Sequence, residues 1–411
     1  MLSVKNAVNK LLGYFSSLET ETIPFSKSLG RILAENIVSD QYFPAFNNSS
    51  MDGFAVINQD LQKANAENPI QLKIIEDIPA GKSPQNRVIS GTAAKIMTGA
   101  EIPPGADAVI QIEDTNHYPA LPNDTQSVAI SRATQAGENI RTKGSNYSPG
   151  DLLIPKGISI RPQDIALFAM LGKTTVQVYK KVKVGLLVTG DELVPPDTPP
   201  GPSQIRDSNS YMIASLLEKL PVKILNTGII VDSEEMISQA LHQLITSGVD
   251  LIITTGGVSM GSYDFVRKVI ETQGSLEFWR VNIKPGKPLA FGFLNDTPIM
   301  GLPGNPVSSY VGFNVFIVPV IKKMSGLDFR EATVIRAKLL SQIKPNTREH
   351  YVPAILEMDK NPATVTPVDN QGSGNLYSLV QSNSLIILPG GVEFFNEGDM
   401  VNVWKPDYDN I

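Results

Sequence analysis

The chain has 411 residues, of which 42% are hydrophobic and 18% are charged, and its net charge is −6. These values predict a folded protein of roughly two to four domains, and they argue against a disordered chain and against wholesale nucleic-acid binding. The lack of cysteine excludes disulfides, thiol nucleophiles and cysteine–zinc sites. With three widely separated histidines (His117, His242 and His350), the sequence also disfavours a histidine-rich metal centre and a Ser-His-Asp triad.

The first 178 residues combine two helical patterns with a region of short strands. Apolar residues recur at helical spacing over 4–17 and again over 162–171. Between these patterns, alternating segments separated by glycine and proline turns predict a small mostly-β domain at 46–144. We expect 1–45 and 145–178 to form an N-terminal linker domain of helical and mixed structure.

Residues 179–327 alternate between buried-strand runs, such as 182–189 and 250–255, and helical patterns, such as 233–247 and 307–324. Alternation at this spacing predicts an α/β domain with an open, mainly parallel sheet that is covered on both faces. Ligands of such sheets bind at the carboxyl ends of the strands. The predicted ends of these strands are therefore the places to look for a site.

Residues 328–411 return to short strands and turns, which predicts a small C-terminal β domain. No window reaches the roughly 18 apolar residues of a membrane span, and the first residues do not resemble a signal peptide. The predicted fold class is therefore α/β and β multidomain. We expect a soluble, cytoplasmic protein without a membrane partner.

The sharpest signal is a pair of glycine turns at 254–259 and 301–306, each placed between a strand-like and a helix-like run. Such turns bring free backbone N–H groups and the positive end of a helix to one point, which suits an anion. Lys284 and Lys287 lie between the turns in a segment stiffened by prolines, and Arg280 lies four residues upstream. Together these features predict a site for a ligand with more than one negative group.

Ordinary structural explanations stay open for several of these residues. The first turn can be a plain tight turn with a capping serine and a solvated Asp264, about one turn into the next helix. Asn305 and Pro306 are favoured at a helix start without any ligand, although Ser308 adds a donor there. Lysines such as Lys284 are most often surface residues that aid solubility.

Acidic residues follow the strands at the same predicted edge of the sheet. Glu192 comes shortly after the strand that ends at 189, Asp207 lies at a helix start, and Asp232 follows a strand. Helix-start acids are usually caps, and this explanation is favoured for Asp207 and Asp232 taken singly. Several acids beside an anion site nevertheless indicate Mg²⁺, which prefers one or two carboxylates together with water and substrate phosphates.

Ordered motifs along essentially the whole chain resemble the molybdopterin molybdenumtransferase family, which includes the E domain of gephyrin. They include Ser50-Met51-Asp52-Gly53-Phe54-Ala55, Met97-Thr98-Gly99, Thr189-Gly190-Asp191-Glu192, Ile205-Arg206-Asp207-Ser208-Asn209, Gly256-Gly257-Val258-Ser259, Lys284-Pro285-Gly286-Lys287-Pro288 and Leu302-Pro303-Gly304-Asn305-Pro306. The resemblance implies an α/β domain of the molybdopterin-binding type and a homodimer whose active cleft is shared between subunits. The implied reaction takes adenylylated molybdopterin and molybdate, inserts molybdenum, and releases AMP with the help of Mg²⁺.

The resemblance also implies roles for individual residues by position. Catalytic roles are implied for Asp52, Glu192, Asp232 and Asp264, and Mg²⁺ binding for Asp52, Glu192 and Asp232. Substrate binding is implied for Thr98, Arg141, Gly256, Gly257, Ser259, Arg280, Lys284, Lys287, Pro303, Asn305, Ser308 and Ser373. The implied partners are the molybdopterin adenylyltransferase and the molybdoenzymes that accept the product.

The chain departs from the family pattern at three places. It has Gly144-Ser145-Asn146 where bacterial members usually have Gly-Glu-Asp, Arg280 where lysine is common, and Pro353 where a C-terminal motif has an arginine. The changes at Asn146 and Pro353 motivate one alternative, a non-catalytic scaffold that binds the cofactor precursor. A generic Mg²⁺-dependent nucleotide phosphohydrolase built on the α/β domain is the other alternative.

Overall fold

The structure is a computed structural model that describes residues 1–118, 126–257, 264–327, 333–344 and 347–406. The chain divides into two compact units, one of Met1–Glu35 with Pro155–Ile411 and one of Asn36–Ile154. The chain thus leaves the first unit once, forms the second unit and returns. The finer division into four domains stays a prediction. Within the described ranges, no helix has both the length and the apolar character needed to cross a membrane.

The N-terminal helix α1 (Val4–Tyr14) is fixed by its cap and by its apolar face. The Ser3 side chain accepts a hydrogen bond from the Asn6 N–H (3.2 Å). The buried face of α1 packs in the same core as the α/β sheet of the first unit. The helix ends earlier than predicted because Phe15 takes an extended conformation (φ −111°, ψ 147°). Strand β1 (Thr20–Pro24) follows.

The second unit is built on short strands, as its alternating patterns predicted. These are β2 (Ile37–Val38), β3 (Asn48–Ser49), β4 (Gly53–Val56), β5 (Ile70–Ile78), β6 (Thr92–Ile96), β7 (Ala108–Gln111), β8 (Ser127–Ile130), β9 (Ile140–Arg141) and β10 (Leu152–Ile154). Five of them form a sheet in the order β7-β4-β6-β5-β8. Both faces of this sheet are covered, because Phe54 and Ile110 belong to one buried cluster and their neighbours Ala55 and Val109 to another.

After the second unit, the chain returns to the first unit with α2 and β11 and then forms the α/β domain. The elements are α2 (Pro162–Met170), β11 (Thr175–Tyr179), β12 (Val182–Thr189), β13 (Leu193–Val194), β14 (Ile205–Arg206), α3 (Asn209–Glu218), β15 (Val222–Ile230), α4 (Glu234–Thr246), β16 (Leu251–Thr255), α5 (Phe265–Gln273), β17 (Ser275–Arg280), β18 (Ile283–Lys284), β19 (Pro288–Leu294), β20 (Thr297–Leu302), α6 (Pro306–Gly312) and α7 (Val318–Met324). Strand β11 pairs with β1.

The main sheet of this domain has the strand order β15-β12-β16-β20-β19-β17. Its first four strands are parallel, whereas β19 and β17 join antiparallel. Helices α1, α3, α6 and α7 contribute to the buried cluster on one face, and α4 and α5 to that on the other. The prediction of an open, mainly parallel sheet covered on both faces is confirmed.

The predicted helix at 307–324 is confirmed, but it is not α-helical throughout. Helices α6 and α7 are separated by a π-helical stretch at Phe313–Ile317. Pro319, near the start of α7, has no backbone N–H, so the regular hydrogen-bond ladder cannot run through it. In the same stretch the Asn314 Nδ2 donates to the carbonyl oxygen of Tyr310 (2.8 Å).

The C-terminal part of the first unit is a small β barrel, with one short helix that the sequence did not predict. Its elements are β21 (Val334–Leu339), β22 (Glu349–Glu357), β23 (Thr364–Pro367), α8 (Leu376–Gln381), β24 (Ser384–Leu388) and β25 (Met400–Trp404). The order is β18-β22-β23-β21-β25-β24, and because β22 also pairs with β24, the strands β21 to β25 close on themselves. The two-residue strand β18 joins this barrel from the α/β domain and pairs in parallel with the start of β22.

We expect Leu11→Ala to lower the free energy of unfolding of the first unit by about 2–5 kcal/mol, because it removes a fully buried side chain. Both tryptophans, Trp279 and Trp404, lie in this unit, so their fluorescence during denaturant unfolding reports on it. Asn9→Ala, on the exposed face of α1, is the control and should change the value by about 0.5 kcal/mol or less. Equal effects of the two substitutions would show that α1 does not stabilise this core.

Candidate active site

A cleft of about 990 Å³ opens at the carboxyl ends of the parallel strands. One wall comes from the ends of β12, β16 and β20 and from the starts of α3 and α6. The other wall comes from β18, from the start of β22 and from the barrel loop 371–374. All of these elements belong to the first unit. The cleft therefore lies at the edge of the sheet where the glycine turns predicted a site.

Two glycines allow the strand ends to approach closely. Gly256 has a φ of +92°, and a Cβ atom there would lie 2.4 Å from the carbonyl oxygen of Thr189. A Cβ atom at Gly190 would lie 2.7 Å from Oε2 of Glu192. Larger residues at these positions would push β12 and β16 apart at their ends and displace the Glu192 carboxylate from the cleft rim.

Three of the cations that line the cleft, Lys284, Lys287 and Arg348, have no acidic partners among the described residues. Lys284 and Lys287 are partly buried, and the guanidinium of Arg348 donates to the carbonyl oxygen of Ile283 (2.9 Å). Burial and the nearby Arg348 charge lower the pKa of Lys284. Among the residues that the structure describes, none of the three forms a salt bridge. Such uncompensated cations favour an anionic ligand.

Asn305 is the N-cap residue of α6 and Pro306 lies at its start, as predicted, but the Asn305 side chain makes no capping hydrogen bond. Its Nδ2 donates instead to Oγ of Ser373 (3.0 Å), and the carbonyl oxygen of Ser373 accepts the N–H of Val307 (3.1 Å). The barrel loop is thereby tied to the start of α6. Of the predicted substrate-binding residues, Gly256, Lys284, Lys287, Pro303, Asn305, Ser308 and Ser373 all line this one cleft.

The two acids for which capping was favoured behave differently. Asp207 is buried at the start of α3, and its Oδ1 accepts the N–H of Ser210 (3.1 Å), so its cap interpretation is confirmed. Helix α4 is instead capped by Ser233. The Asp232 carboxylate accepts a hydrogen bond from the Thr189 hydroxyl at the end of the neighbouring strand, and its cap interpretation is wrong.

Several predicted residues do not line the cleft. Gly257, Asp232, Asp264 and Arg280 are absent from its lining, and Ser259 lies outside the described residues. Asp264 occupies the cap position of α5 with non-helical angles (φ −84°, ψ 62°), so the expectation that it lies one turn into the helix is wrong. The guanidinium of Arg280 stacks on the Trp279 ring at 4.0 Å.

The barrel wall of the cleft was missed by sequence reasoning. Arg348, His350, Tyr351 and Pro353 line it, although their stretch of sequence stood out only as a departure from a motif. They reach the cleft because β18 pairs in parallel with the start of β22. A two-residue strand has no periodicity to detect, so the sequence held no signal for this contact.

In the second unit, Asp52 and Thr98, two of the residues that the resemblance singled out, are hydrogen-bonded to each other. Both the N–H and the hydroxyl of Thr98 donate to Oδ1 of Asp52 at 2.7 Å. These bonds lower the pKa of the exposed Asp52 carboxyl group, which favours its ionised form. Arg141 is exposed on β9 of the same unit.

Comparison with known proteins agrees with this arrangement of sequence motifs and fold. Residues 2–172 match the MoeA N-terminal region (domain I and II), 185–323 a probable molybdopterin binding domain, and 336–405 the MoeA C-terminal region (domain IV). The molybdopterin molybdenumtransferase of Bacillus subtilis (strain 168) is 35% identical over 404 residues, which cover 98% of this chain and 93% of that protein.

Further similarity extends to another bacterium and to a solved structure. The molybdopterin molybdenumtransferase of Haemophilus influenzae is 35% identical over 94% of each chain. A crystal structure of a molybdopterin biosynthesis MoeA protein from Pyrococcus horikoshii OT3 matches with a TM-score of 0.82 and 29% identity, over 98% of this chain and 100% of that one. The chain therefore belongs to the molybdopterin molybdenumtransferase (MoeA) family, as its ordered motifs predicted.

Proposed function

We propose that this transferase inserts molybdenum from molybdate into adenylylated molybdopterin and releases AMP. The observation that carries the proposal is the cluster of Lys284, Lys287 and Arg348, three cations without acidic partners among the described residues, at the strand ends of the α/β domain. Both substrates present oxyanions, molybdate as a tetrahedral dianion and the precursor through its phosphoanhydride. Cations and helix starts suit both.

The cleft offers two kinds of group to an oxyanion, positively charged side chains and neutral N–H donors. Lys284, Lys287 and Arg348 hold oxyanion oxygens, and the N–H groups at the start of α6 near Ser308 add neutral donors. The lysines and Arg348 stabilise negative charge that shifts towards the departing AMP. The sulfur chemistry at molybdenum belongs to the dithiolene of the substrate, which is why a chain without cysteine can support it.

Two carboxylates of the first unit fit the ligand preference of Mg²⁺. Glu192 lines the cleft, and Asp232 is linked by its hydrogen bond to Thr189, which also lines it. Within the described residues, no group of three or more His, Cys, Asp or Glu side chains is arranged to hold a metal ion by itself. Two carboxylates completed by water and substrate phosphate oxygens are what Mg²⁺ usually takes. Bound there, the ion would neutralise phosphoanhydride charge.

We further propose that the enzyme is a homodimer in which the partner subunit's Asp52 completes each cleft, together with its Thr98 and Arg141. In support, the described residues that line the cleft all come from the first unit, whereas Asp52 is an exposed carboxylate pre-oriented by two hydrogen bonds. An ionised, oriented carboxylate is suited to a third Mg²⁺ contact or to positioning a nucleophile.

The proposed cellular setting follows from the substrates. The molybdopterin adenylyltransferase is the proposed source of the adenylylated precursor, and molybdoenzymes are the proposed acceptors of the product, in the cytoplasm. One observation favours a second candidate, a scaffold that binds the precursor without turnover. Pro353 lies in the cleft lining where the family motif has an arginine, so one donor to an oxyanion is lost there.

Purified protein supplied with adenylylated molybdopterin, Mg²⁺ and molybdate is expected to release AMP at a rate that rises with molybdate concentration. AMP can be quantified by chromatography. Binding of the precursor without AMP release would support the scaffold instead. Hydrolysis of ordinary nucleotides at a rate indifferent to molybdate would support the phosphohydrolase.

We expect Lys287→Met to lower kcat/KM by about a hundredfold or more, because it removes a charged donor from a site that stabilises negative charge. Lys181→Met, at an exposed lysine outside the cleft lining, is the matched control and should leave kcat/KM unchanged. Steady-state AMP release measures both. Equal kcat/KM values for the two variants would remove Lys287 from the site.

The shared cleft predicts complementation between two inactive variants. Asp52→Ala and Lys284→Ala should each abolish turnover, but mixed dimers contain one cleft with neither substitution. After subunit exchange at equal concentrations, a twofold-symmetric dimer should regain about a quarter of wild-type activity. Exchange confirmed by differently tagged subunits, with no recovered AMP release, would contradict the shared cleft.

A further inference from the structure

His350 lies in the wall of the cleft beside two of its cations. The residue is 5% exposed, and the parallel pairing of β18 with β22 sets it opposite Lys284. Arg348 lies two positions earlier on the same stretch. Burial and the charges of Lys284 and Arg348 lower the pKa of His350 to about 4. The imidazole is therefore neutral at physiological pH.

The two ring nitrogens of His350 have different surroundings. Nδ1 is buried and has no hydrogen-bond partner among the described residues. Nε2 does not belong to the buried atoms that lack a partner. A buried N–H without an acceptor is rarer in proteins than a buried acceptor without a donor. The single proton of the neutral ring is therefore assigned to Nε2, which makes Nε2–H the donor available to the cleft.

We propose that His350 is an uncharged third ligand of the oxyanion held by Lys284 and Arg348, and that it donates its Nε2–H to an oxygen of that anion. The inference rests on the proposed function, because molybdate and the phosphate of the AMP moiety are the two oxyanions that the cleft receives. Both are tetrahedral oxyanions, doubly charged in molybdate and in released AMP, and the experiment distinguishes them.

A neutral donor suits this position better than a charged side chain. A carboxylate opposite Lys284 would form an ion pair with Lys284 or Arg348 and compete with the ligand. A third cation would add repulsion before the anion binds. The imidazole adds a hydrogen bond and leaves both cations free for the oxyanion.

Four variants test the inference: His350→Gln keeps a neutral donor, His350→Leu removes it, His350→Glu adds a negative charge, and His242→Leu, at an exposed histidine on α4, is the control. The dissociation constants of molybdate alone and of AMP alone are measured by calorimetry at neutral pH. For one of the two oxyanions, we expect His350→Leu to weaken binding about tenfold and His350→Glu to weaken it further. His350→Gln and the control should stay within about threefold of wild type.

The oxyanion whose affinity changes is the one that His350 contacts. In the AMP-release assay, the KM of the corresponding substrate should follow the same order of variants. Wild-type affinity of His350→Leu for both oxyanions, or equal affinities of His350→Gln and His350→Glu if the leucine variant does not fold, would overturn the inference. Failure of the wild-type protein to bind either oxyanion and to release AMP would instead overturn the proposed function.

Discussion

The cleft depends on the parallel pairing of β18 with the start of β22. This contact holds Lys284 beside His350, while the Arg348 guanidinium is anchored on the carbonyl oxygen of Ile283. Burial, and to a smaller extent the neighbouring positive charges, lower the pKa values of Lys284 and His350. Backbone hydrogen bonds between β18 and β22 keep these groups together. A bound oxyanion would supply the negative charge that the partly buried Lys284 and Arg348 lack in the free protein.

The same contact explains what could and could not be predicted from the sequence. The strands and helices of the α/β domain were predictable because their apolar residues follow a local period, and β12 even begins and ends at the predicted residues. The placement of Gly256, Lys284 and Asn305 at one sheet edge followed from that alternation. The barrel wall did not, because a two-residue strand and a partner more than sixty residues away leave no local pattern.

Side-chain partners were harder to predict than backbone positions. Asn305 and Asp232 both stand where a helix cap is expected, and the residue type alone favours capping. In the structure Asn305 donates to Ser373 across to the barrel loop, and Asp232 accepts from Thr189 on the adjacent strand. Both partners come from distant parts of the chain. Asp207, whose partner Ser210 is three residues away, was the case that local reasoning explained.

The negative net charge of the chain opposes anion binding, so the cleft must supply the attraction locally. With a net charge of −6, the protein as a whole repels the anions that its family uses, so long-range attraction does not concentrate them at the site. Affinity must come from local cations that are partly withdrawn from water, where salt screens them less than surface charges. An additional neutral donor such as the Nε2–H of His350 strengthens the grip on the anion without adding to the repulsion between Lys284 and Arg348. The protein can then contribute positively charged side chains in a fixed arrangement, while the substrate supplies the sulfur ligands of the metal.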